Sequence, residues 1–208
     1  DNYDITFIHD ANCVRWNDNA QAQFGTGQDL RVYHDGSHGN LDVQTGDLIF
    51  KYSSQETFRV SDTGTNVTGI GTFTEGLSTD GLLREKFETT AGKLSDNTNI
   101  DLADGMVHYF TTTESTTSTP NIRYNSSTSL NNMMHTGESI TVTIITTAAA
   151  AGYSANMTID GSGQTEEWIG GSAPSAGGSD GHDIYSYTIL KTASATWKVI
   201  ANVVNATN

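Results

Sequence analysis

Short runs that alternate apolar and polar residues dominate the chain, and they predict β-strands. In the first part the runs are Ile5-Thr6-Phe7-Ile8, Leu30-Arg31-Val32-Tyr33, Asp47-Leu48-Ile49-Phe50 and Thr57-Phe58-Arg59-Val60. They are rich in β-branched and aromatic residues, which suit a pleated, half-buried surface. Each closes in a turn cluster, as at His34-Asp35-Gly36 and Ser61-Asp62-Thr63-Gly64. In the second part the predicted strands are Met106–Thr112, Asn121–Tyr124, Ser139–Thr147, Ser154–Ile159, Asp183–Leu190 and Thr196–Val204. Ile140, Val142 and Ile144 share one face of the third, and Trp197, Val199, Ala201 and Val203 share one face of the last. An apolar face backed by a Thr/Ser/Asn face is what an antiparallel sandwich or jelly roll requires.

Two stretches depart from this pattern. In Val67-Thr68-Gly69-Ile70-Gly71-Thr72-Phe73 the glycines leave no side chain to pack, which suits a close approach of backbones at the axis of intertwined copies. In residues 81–94, Leu82, Leu83, Phe87 and Leu94 sit among charged residues. Leu83 and Phe87 are four apart, as on one helical face, although a connecting strand fits the same residues. The expected fold is all-β: a repetitive β-shaft over 1–80, a neck or short helix over 81–95, and an antiparallel, jelly-roll-like β-sandwich head over 96–208. Short β-repeats cannot each bury a face alone, so neighbours or symmetry mates must cover them.

Composition sharpens this picture. Hydrophobic residues make up 35% of the 208, too few to make one large core obvious. The net charge is −14. Residues 1–95 hold 7 Lys/Arg against 14 Asp/Glu, and residues 96–208 hold 3 against 10. Neither half has the positive surface that nucleic acid or anionic lipid would need. Cys13 is the single cysteine, so no internal disulfide or multi-Cys zinc site is expected. No apolar stretch reaches the roughly 18 residues of a membrane helix. The acidic opening Asp1-Asn2-Tyr3-Asp4 is followed by no apolar run, so no secretory leader is expected, and the lack of an initial Met points to a processed or partial chain.

The segment Phe24-Gly25-Thr26-Gly27-Gln28-Asp29-Leu30-Arg31-Val32-Tyr33-His34-Asp35-Gly36-Ser37 resembles the recurring FGxxxDLxIYHDGS module of tail-fibre and other structural proteins of marine tailed bacteriophages, cyanophages in particular. Val32 replaces the usual Ile, and His38-Gly39 stands where Asn-Ser is common. The stretch from Phe58-Arg59-Val60 to Gly69-Ile70-Gly71-Thr72-Phe73 is similar to the shaft repeats of those proteins. Asn99-Ile100-Asp101-Leu102, Gly105–Phe110, Ile159-Asp160-Gly161, Trp168–Pro174, Gly181–Tyr185 and Val199-Ile200-Ala201 resemble C-terminal fibre domains. The resemblance implies a homotrimer in the virion, a β-rich shaft, contacts with other virion proteins, and a distal head that touches a host surface glycan. A capsid-attached fibre or decoration protein would use the same modules. A free lectin-like domain and a polysaccharide depolymerase are further alternatives.

Candidate chemistry is sparse. The expected receptor-binding residues are Trp168, Tyr153 and Tyr185, whose rings suit the C–H face of a pyranose, with Asp160 and Asp180 to read hydroxyls. Trp168 and Tyr185 also fit a sandwich core. His34 and His38 around Asp35 have the donors for a divalent metal, but Asp35-Gly36 is a strong hairpin signal and a polar turn is the expected reading. Asp96, Asn97, Asn99, Asp101 and Asp104 are oxygen-rich but lack the spacing of a calcium loop. Glu166 and Glu167 are adjacent and point to opposite faces of a strand, so they make a poor acid/base pair. No nucleophile elbow, HExxH or P-loop occurs. No enzyme activity and no cofactor are expected.

Overall fold

Strands account for most of the regular structure, as the alternation requires. The computed structural model describes residues 5–8, 13–68, 71 and 77–207. The chain divides into two units, residues 1–78 and 79–208.

The first unit is a series of small antiparallel sheets. Strands β1 (Ile5–Ile8) and β2 (Cys13–Trp16) form a pair. Strands β3 (Ala22–Phe24), β4 (Leu30–His34) and β5 (Gly39–Val43) form a three-stranded meander. Strands β6 (Leu48–Tyr52), β7 (Gln55–Ser61) and β8 (Gly64–Val67) form another. The expected strand Val67–Phe73 lies largely outside the described residues, since 69–70 and 72–76 are among those not described.

Register makes each meander two-faced. Ala22, Val32 and Leu41 align across β3, β4 and β5, with Phe24, Leu30 and Val43 as the neighbouring row. Leu48 and Val60 align across β6 and β7, and Phe50, Phe58 and Val67 across β6, β7 and β8. The opposite face of the second meander carries Arg59, which is ion-paired with Glu56 and Asp47. The apolar rows are only partly covered: Phe24 is 54% exposed, Leu41 48% and Phe50 49%.

The second unit has two sheets over one core. Strands β9 (Phe87–Thr90), β10 (Asn99–Asp101), β11 (Val107–Thr113) and β12 (Asn121–Arg123) lead to the one-turn helix α1 (Leu130–Met133). Strands β13 (Ser139–Thr147), β14 (Thr158–Ile159), β15 (Ser162–Gly163), β16 (Glu166–Trp168), β17 (His182–Ala193) and β18 (Thr196–Ala206) follow. The large sheet runs β16-β18-β17-β13-β11-β9 and the small one β10-β12-β14-β15.

The all-β class stands, but the antiparallel, jelly-roll expectation needs correction. β9, β11 and β13 are parallel neighbours, and so are β10, β12 and β14. The chain alternates between the two sheets, so each return to a sheet runs in the direction of the last. Only β13, β17 and β18 form a long antiparallel run. The helical face expected at Leu83 and Phe87 within 81–95 is not formed: 82–86 has no regular structure, Phe87–Thr90 is a strand beside β11, and a 3-10 turn follows at Leu94–Asp96. Ser154–Ile159 is a strand only at Thr158–Ile159, because the Ser154 amide donates to the Tyr185 hydroxyl instead of to a ladder.

The small sheet is a ladder of identical positions. Ile100, Ile122 and Ile159 align across β10, β12 and β14 and are 0–1% exposed. They meet Phe110, Val142, Ile144, Tyr187, Ile189 and Val199 of the large sheet in one cluster. Each such side chain contributes roughly 1.5–3 kcal/mol by leaving water. Outward, Asn121 donates to Asn99 (2.9 Å) and accepts from Thr158 (2.9 Å), while Arg123 pairs with Asp101. Three charged residues are buried beside the core, Glu114, Asp183 and Lys191, and Glu114 accepts from the Leu94 amide. Asp183 accepts from the Gly178 amide and Asn205. Lys191 donates to the carbonyls of Asn131 and Met134 at the end of α1.

Candidate functional site

The aromatic residues expected to form a sugar platform do not form one. Tyr185 is 1% exposed and stacks on Tyr187 with centroids 6.3 Å apart. Burial pushes its hydroxyl pKa up to about 12. It has no face to offer a ligand, because β17 turns it toward the core. Trp168 on β16 is partly buried and packs edge-on against Tyr187 at 6.3 Å, at the margin of the same core. Tyr153 is half-buried, and its carbonyl receives the Ser118 amide. Asp180 is exposed, accepts from the Gly181 amide at 2.7 Å and lies beside Asn205. Asp160 has φ +50° and caps the start of α1, accepting from the amides of Leu130 (2.7 Å) and Asn131 (3.0 Å).

Of the five, Asp160 lines a polar cleft. The cleft has a volume of about 310 Å³ and lies on the outer side of the small sheet. Asn121 and Arg123 form its floor, and the hydroxyl-rich loop Ser126–Ser129 forms one wall. Alternation in β12 puts Ile122 in the core and turns its two polar neighbours outward. Asn125 holds the loop by accepting from the amides of Ser127 (2.9 Å) and Thr128 (2.7 Å). Donors and acceptors at such fixed positions suit a hydroxylated ligand. The Asn-Ile-Arg tripeptide and the Ser/Thr loop were visible in the sequence, but nothing local showed that they meet Asp160.

The other candidate groups have structural partners. Asp35 accepts from the amides of His38 (2.7 Å) and Ser37 (2.9 Å), and these bonds hold its carboxyl below the usual range. His34 bonds Asp18 at 2.8 Å. Among the described residues no three His, Cys, Asp or Glu side chains gather as a metal would need. Glu166 accepts from the Met157 amide while Glu167, on the other face, meets Lys198 at 2.9 Å. Among the described residues no helix is long and apolar enough to cross a membrane.

The described residues of the first unit leave most of their apolar side chains in contact with solvent. Among the described residues of 1–78, Ala20 is the one buried apolar side chain. Leu41 and Val43 of one meander and Leu48 and Val60 of the next line a shared cleft of about 580 Å³. Gln44, Asp47, Ser61 and Asp62 line the same cleft. Three-stranded sheets with one open apolar face are a docking surface in want of a cover. No protein-family model matches the chain, and no curated protein or solved structure matches it.

Proposed function

We propose that the chain is a non-enzymatic structural protein of a bacteriophage virion, a tail-fibre segment that assembles as a homotrimer and presents its second unit to the host surface. One observation carries the reading: among the described residues of the first unit, nothing covers the apolar faces of its meanders. Short β units of this kind are stabilised chiefly by the neighbours that cover their apolar faces. Copies of the same chain supply that cover in a fibre. The viral setting rests on the resemblance of the segment Phe24–Ser37 and of the motifs in residues 99–201. Surface glycan is the proposed ligand, bound in the polar cleft around Asn121, Arg123 and Asp160. Several copies multiply a weak contact there without new chemistry.

Light scattering of the full chain behind a sizing column tests the assembly. A mass of three chains is expected. A stable monomer over the accessible concentration range would overturn the reading.

A further inference from the structure

The second unit has an open face of its own. Tyr109, Ile145, Ile184 and Val204 stand in one row across β11, β13, β17 and β18, on the side of the large sheet away from the core. The next row is Val107, Thr143, Ser186 and Asn202, with Phe87 of β9 beside Val107. Part of this face forms an open cleft of about 500 Å³, mostly apolar, with Glu85 and His182 at its rim. Phe87 is 57% exposed and Val204 51%.

We propose that this face is covered by the other copies of this chain, the sheets of the assembly packing together around its axis. The inference rests on the self-association reading and adds the surface through which the second unit takes part. Charge is the first argument. Two chains of net charge −14 repel wherever their carboxylates meet, yet these two rows contain no charged residue across four strands. Copies approach there at the least electrostatic cost. Shape is the second argument: a broad face of β-branched and aromatic side chains matches another sheet face.

Spin labelling of the full chain tests this. In a Cys13→Ser background, Ser186→Cys places a label on the face, and Ser162→Cys places a control on exposed β15. Packed sheets lie about 10 Å apart, which brings labels at 186 on neighbouring copies within dipolar range, so the label at 186 is expected to be immobilised and dipolar-coupled to its copies, with the label at 162 mobile and uncoupled. Val204→Glu, at a half-exposed site the fold tolerates, is expected to abolish the coupling at 186 and weaken association roughly tenfold. A multi-chain mass with a mobile, uncoupled label at 186 would overturn this inference and leave the self-association reading standing. A monomeric mass would remove both.

Discussion

The two units solve the same problem differently. Both are built from short strands with one apolar side. The second unit folds its sheets over each other, and its buried apolar residues run from Leu94 to Ala201. The first unit has no second layer among its described residues, and Phe24, Leu41 and Phe50 stay about half exposed. The difference teaches that strand patterning alone does not make a core. What covers the pattern decides whether a unit is complete in one chain.

That contrast can be broken at both ends. The largest effect is expected from Val32→Asp, in the apolar row of β4. In an isolated chain, a change at this 38% exposed site would cost little. Under a cover of copies it buries an unpaired charge, so association is expected to weaken roughly a hundredfold or more, read as a fall in native mass on dilution. In the second unit Ile122→Ala empties a fully buried site of the isoleucine ladder. It is expected to lower stability to denaturant by roughly 2–5 kcal/mol while leaving the native mass unchanged.

Asp183→Ala comes next. It strips the partner from the Gly178 amide and removes one of the acceptors of Asn205, which keeps the Asp180 and His182 carbonyls, and a loss of roughly 1–3 kcal/mol is expected. The loop at Gly178 has no slack to compensate, since a Cβ there would lie 1.9 Å from the Asn205 amide nitrogen. The smallest effect is a pH dependence from His108. It is 4% exposed, and burial pulls its pKa below the ordinary imidazole value near 6.5. The unfolded chain then binds the proton more tightly, so stability is full above pH ~6.5 and falls as the pH drops below it. His108→Gln is expected to flatten that segment of a stability–pH profile.

Much of the strand content was legible because alternation is local. Ser139–Thr147 and Thr196–Ala206 bury the faces that their sequences mark. Pairing was not legible, because period two says nothing about which layer a strand joins. The parallel ladders follow from alternation between layers, and no residue announces that. β17 shows a second limit. Its two faces both carry apolar residues, Ile184 and Leu190 on one, Tyr185, Tyr187 and Ile189 on the other. The buried face is the one that also holds Asp183 and Lys191, because backbone amides and carbonyls satisfy those charges. That put Tyr185 out of reach of any ligand. Leu83 and Phe87 have helical spacing, but four residues suffice for a strand once β11 offers an edge. The cleft at Asp160 joins residues some forty positions apart, a distance over which sequence pattern carries no geometry.

Amide hydrogen exchange measured at two protein concentrations tests the central claim most directly. The account predicts that β4 to β8 are protected while copies are associated and lose protection on dilution, while β13, β17 and β18 keep theirs. Protection of β4 to β8 that persisted in a monodisperse single chain would contradict it.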